Sequence, residues 1–133
     1  MPASKKPAQM TTIYKICEGA QWAEAERTGE FRGSRIDLAD GYIHFSTAGQ
    51  VAETAAKHFA RMPDLVLVAV APEDVSGALK WEPSRGGALF PHLYGVLPMA
   101  AVRWVKPLPR DAGGRHVFPP EVAAAALQKS TGN

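Results

Sequence analysis

The run Leu65 to Ala71, LVLVAVA, is apolar at every position and predicts a central strand covered on both faces, ended by Pro72. Thr11 to Cys17 predicts an earlier strand. Glu18 to Thr28 has Trp22 and Ala25 spaced for one buried helical face, with Gly29 as a left-handed stop. Glu30 to Asp40, broken at Gly33-Ser34, shows no apolar periodicity and predicts a loop. Tyr42 to Thr47 is rich in aromatic and β-branched residues and predicts a strand whose side chains alternate, Tyr42, His44 and Ser46 on one face, Ile43, Phe45 and Thr47 on the other. Thr47-Ala48-Gly49-Gln50 has the form of a capping box, and Val51, Ala55, Phe59 and Met62 then recur at helical spacing until Pro63-Asp64.

Beyond Pro72 the pattern predicts a helical turn from Glu73, a short strand over Leu79 to Glu82, and a glycine-rich loop over Pro83 to Gly87. Ala101 to Lys106 alternates as a strand closed by Pro107; Pro109 to His116 reads as loop, and Pro119-Pro120 opens a helix from Glu121 to Lys129. Strands and helices do not alternate strictly, so the expected class is α+β with mixed or antiparallel pairing rather than a doubly wound parallel sheet. Three regions are expected: a disordered tail at 1–10, a core domain at 11–107, and a C-terminal loop and helix at 108–133.

Composition narrows this further. With 133 residues, 46% of them hydrophobic, the chain can build one core without disulfides or a structural metal. Cys17 is the single cysteine and reads as a small apolar residue, which fits a reducing cytoplasm. Fifteen basic against thirteen acidic residues, scattered along the chain, suggest no nucleic-acid partner. No apolar stretch is long enough to span a bilayer, so no membrane partner is expected.

The candidate chemistry lies in three segments. His44 and the hydroxyls of Tyr42 and Ser46 share a strand face that is either an ordinary solvated surface or a site. Phe90-Pro91-His92-Leu93-Tyr94-Gly95 carries more chemistry than a turn requires, and Trp81-Glu82 before it offers a flat ring and a carboxylate. Lys15, in the middle of an apolar strand, reads most simply as pointing outward. His58 and His116 have no polar partner nearby in sequence and are set aside. His44, His92 and Glu82 would make a two-histidine, one-carboxylate metal set, but no local spacing supports it and no metal is expected.

Taken together, IYKI, GYIHFST followed by Gln50, LKWE and FPHLYG resemble the bacterial domain-of-unknown-function family 952, over about Thr11 to Pro107. The resemblance implies a fold similar to the ADP-ribosyltransferases, a split pair of sheets holding nicotinamide adenine dinucleotide (NAD). By position it places Lys15 at the first-strand polar residue and His44, Ser46 and Thr47 on the second strand. Trp81, Glu82, His92 and Tyr94 would then close the cleft. In an enzyme of that kind Glu82 would stabilise an oxocarbenium-like ribose, with His44 or His92 orienting ribose hydroxyls and Tyr42 and the other rings contacting the ligand. Three functions remain open: an enzyme acting on a nucleotide cofactor such as NAD, a non-catalytic module for a small anionic or nucleotide ligand, and a structural or interaction protein.

Overall fold

The computed structural model describes residues 11–131, so the expected tail at 1–10 lies outside the described residues. The four-stranded sheet contains β1 (Ile13–Glu18), β4 (Ser46–Thr47), β5 (Leu65–Val70) and β9 (Val102–Leu108), in the order β4-β1-β5-β9. A three-stranded sheet takes β3 (Ile43–His44), β6 (Leu79–Pro83) and β7 (Leu89–Leu93), in the order β3-β7-β6, and β2 (Glu30–Phe31) pairs with β8 (Leu97–Pro98). All these pairings are antiparallel. The helices are α1 (Gly19–Thr28), α2 (Arg35–Asp40), α3 (Val51–His58) and α4 (Pro120–Thr131). The fold class is therefore α+β with antiparallel sheets.

β5 is central, as its uniform apolarity requires, and its two faces feed two cores. Val68 and Val70 join Ile13, Cys17, Trp22 and Leu93 on one side; Leu67 and Ala69 join Ile16, Val51, Ala55 and Val122 on the other. α1 ends at Gly29, whose φ of 96° is the left-handed stop its sequence predicts. Pro107 does not close the last strand, which runs on to Leu108, because β9 lies at the sheet edge where a missing N–H is tolerated. The helix after Gln50 is shorter than its apolar spacing suggests: α3 stops at His58 and Phe59 is its C-cap.

Two differences from the sequence reading shape the site. The predicted strand over Tyr42 to Thr47 is two strands in two sheets: β3 pairs with β7, while β4 pairs with β1. Phe45 sits at the fork and donates its N–H to the Pro91 carbonyl at 3.0 Å. A strand residue's N–H and C=O point to the same side, so Pro91, inside central strand β7, lacks its donor on the side where its neighbour is leaving the sheet. The second difference is that the predicted loop over Glu30 to Asp40 contains β2 and the helix α2.

Candidate functional site

Where β3 and β4 part, the two sheets leave a hollow of about 500 Å³, a size common for small-ligand sites. Lys15 on β1, Tyr42 before β3, His44, Ser46 and His92 on β7 line it, together with Ile36 and Asp40 of α2 and His58 at the end of α3. Three of the segments singled out in the sequence thus meet, and two helices complete the wall. Across the small sheet His44 is in register with His92, which is in register with Lys80. The rings of His44 and His92 lie edge to face with centroids 5.7 Å apart. Tyr42 stacks on His92 at 4.2 Å and touches the rings of His44 and Tyr94.

Lys15 does not point outward. β1 is flanked by β4 and β5 with both faces covered, so its lysine is only 4% exposed. Its partner is Asp37, 1% exposed, whose two oxygens lie 2.9 and 2.7 Å from Nζ. A cation held away from water needs such a partner. Asp37 also accepts from the Ser34 N–H at 2.8 Å, which caps α2, from the His44 N–H at 3.1 Å, and faces His44 Nδ1 at 2.6 Å. Burial by itself would raise the Asp37 carboxyl, but the His44 and Lys15 contacts and the Ser34 N–H outweigh it and hold the group well below the usual carboxylate range. Asp37 and Asp40 are the carboxylates that sequence reasoning missed, and Asp37 is the buried one. Its signal was present in Ser34-x-x-Asp37, a capping-box spacing.

Each histidine of the pair leans on its own carboxylates. His44 Nε2 is 2.9 Å from Asp40, so both of its ring nitrogens face acidic oxygens. His92 Nδ1 is 2.7 Å from Glu82 Oε1, which also accepts the Tyr94 hydroxyl at 2.8 Å. These bonds from His92 and Tyr94 lower the Glu82 carboxyl, and Glu82 in turn raises the Tyr94 phenol. Burial, then the charges of Asp40 and Glu82, raise the Tyr42 phenol. Ser46 Oγ shares a hydrogen bond with Thr54 Oγ1 at 3.0 Å.

The remaining candidates lie outside the lining. Glu82 and Tyr94 stand behind His92 and Tyr42 rather than in the hollow. Trp81 is next to Glu82 on an extended strand, so its ring projects from the opposite face of the sheet and is partly exposed. Thr47 is buried opposite Ile13, and its N–H donates to Gln50 Oε1 at 3.0 Å, which is half of the expected box. That box closes a turn before α3 rather than opening the helix, because Gln50 itself is the N-cap and its Nε2 reaches across to the Leu89 carbonyl. His58, set aside in the sequence, lines the hollow; His116 bonds the Met62 carbonyl at 2.9 Å and does not. No group of three or more His, Cys, Asp or Glu suited to a metal occurs among the described residues, and no described helix is long and apolar enough to cross a membrane.

The chain is similar to protein CC0527 from Caulobacter crescentus. Its X-ray structure shares 48% identity and a TM-score of 0.81, covering 85% of this chain and 99% of that one. The solution NMR structure of CC0527 gives 51% identity and a TM-score of 0.72, over 80% and 91%. No curated protein matches. Residues 16–105 match the family described as "Protein of unknown function (DUF952)", and the chain belongs to that family.

Proposed function

We propose that this protein binds a small ligand in the hollow between its sheets, the ligand being the nicotinamide–ribose end of a nucleotide cofactor such as NAD. The reaction would be cleavage or transfer at the glycosidic bond, in a fold of the ADP-ribosyltransferase type. The observation that carries the reading is the meeting of His44 and His92, each backed by a carboxylate, in one hollow of about 500 Å³. Tyr42 and the apolar lining offer flat surface to a ring, while Lys15, Ser46 and His92 offer hydrogen bonds to ribose and amide. In this reading Glu82 acts through His92 rather than on the ribose.

One observation favours a second reading, a binding module without chemistry. Glu82 Oε1 is taken by His92 and Tyr94, and the carboxylate that lines the hollow, Asp40, is paired with His44. A developing oxocarbenium ion would then meet no uncommitted carboxylate from either residue. Thermal unfolding with NAD, followed by chromatography of the incubated mixture, separates the two. NAD should raise the unfolding midpoint, and His92→Ala should remove the rise. Released nicotinamide supports the enzyme; binding with intact NAD supports the module. No shift with NAD, ADP-ribose or nicotinamide defeats both.

A further inference from the structure

Two polar atoms at the hollow keep hydrogen-bonding capacity that no described residue takes up, and they are of opposite kind. A charged lysine has three N–H bonds; Asp37 Oδ1 accepts from Lys15 at 2.9 Å, and Oδ2 lies in ion-pair contact at 2.7 Å. No other described acceptor meets Lys15, although it is 4% exposed. His92, equally buried, gives its Nδ1 edge to Glu82, which stands outside the lining. His92 lines the hollow, and its Nε2 meets no described partner. Leaving buried polar groups unsatisfied is costly, so both call for a ligand atom.

His44 differs. Both of its ring nitrogens already face carboxylates, Nδ1 on Asp37 and Nε2 on Asp40, so neither is left open to a ligand. Of this pair, only His92 keeps a ring nitrogen without a described partner. The charges also balance locally: Lys15 is matched by Asp37, and His44 lies between two carboxylates. Lys15 thus already has its counter-charge and His44 faces acidic oxygens from both nitrogens, which disfavours a phosphate or carboxylate beside them.

We infer that the hollow recognises an uncharged group carrying an acceptor beside a donor, a carboxamide or a vicinal diol, with Lys15 Nζ donating to the acceptor and His92 Nε2 accepting from the donor. The inference rests on the hollow being a ligand site, and it does not require the ligand to be NAD. A carboxylate of the same shape fails, because it brings two acceptors and no donor.

The test uses the full chain labelled with ¹⁵N, observing the histidine ring nitrogens and the lysine ammonium above neutral pH. In the free protein His92 should carry its proton on Nδ1. Nicotinamide supplies the carboxamide and methyl riboside the diol; at least one should move both His92 Nε2 and Lys15 Nζ. Nicotinate, or the 2-deoxyriboside in the diol case, should bind about tenfold more weakly, the scale of one lost hydrogen bond. His92→Asn keeps a donor for Glu82 but removes Nε2, and should weaken the responding probe about tenfold while leaving the unfolding transition cooperative. If NAD does not bind but either probe moves both His92 Nε2 and Lys15 Nζ, the cofactor reading fails and this inference stands. If NAD raises the unfolding midpoint and moves the His44 and His58 rings while His92 Nε2 and Lys15 Nζ stay still, this inference fails and NAD binding in the hollow stands. A proton on His92 Nε2 in the free protein, no response to either probe, or equal affinity for probe and analogue overturns the inference.

Discussion

Replacing Asp37 with Asn keeps the shape of the side chain and removes its charge, leaving Lys15 as a buried cation without an anion. In the native protein that carboxylate holds Lys15 at 2.7 and 2.9 Å, caps α2 through the Ser34 N–H, and holds both the backbone and the ring of His44. Removing one member of a buried pair costs about 3–5 kcal/mol, because the other charge stays behind without compensation. Against a total stability of about 5–15 kcal/mol, that is a large share. At roughly 3–5 °C per kcal/mol for a domain of this size, Asp37→Asn should melt about 10–25 °C lower. Urea denaturation measures the loss directly, provided the slope with denaturant is unchanged. Replacing both partners, Lys15→Met with Asp37→Leu, should cost less than the sum of the two single changes, since neither charge is then stranded. A loss below about 1 kcal/mol for Asp37→Asn, or strict additivity in the double variant, would show that the pair is not the anchor described above.

Because the Asp37 carboxyl is held below its unfolded value, it contributes stability at neutral pH, and that contribution is lost as pH falls below about 4 toward the folded value. Acid titration of the unfolding free energy should therefore decline more steeply in the native chain than in Asp37→Asn; parallel curves would remove Asp37 as the source. Gly33 has φ of 124°, and a Cβ there would stand 2.9 Å from the Asp37 Cβ, so Gly33→Ala should both strain the backbone and push Asp37 off its partners. We expect a loss of about 2 kcal/mol or more in urea, against about 1 kcal/mol for Gly41→Ala, where φ is 90° and the space is open. Cys17 is buried, and burial pushes its thiol up to about 12, so iodoacetamide should label it only after unfolding. Labelling of the folded protein at the rate of a free thiol would contradict its place in the core.

How legible these features were in the sequence depends on whether burial followed hydrophobicity. It did in β5, where every residue is apolar, and in α1, where Trp22 and Ala25 face inward. It did not in α2. There Ile36 and Leu38 are 60% and 67% exposed while Asp37 is buried, so the apolar pattern that normally reveals a helix is inverted. The same inversion hid Lys15, whose cation is covered because Asp37 comes from that helix to meet it. Tyr42, His44 and Ser46 all reach the hollow even though the chain changes sheets at Phe45, which lines it as well because the hollow opens at the fork itself. Trp81 enters the expected site as a flat ring beside Glu82 and through the family resemblance, and Thr47 only through that resemblance. On a strand, immediate neighbours face apart, and that geometry separates Trp81 from Glu82 and Thr47 from Ser46.

The most direct test of the central claim, that ligand binds where the sheets part, is the response of the four histidine rings to NAD, read by NMR as each ring's carbon-bound proton shift. His44, His58 and His92 line the hollow, while His116 is tied to the Met62 carbonyl elsewhere. Saturating NAD should shift the first three and leave His116 still; movement of His116 alone, or no movement in any ring, would contradict the account.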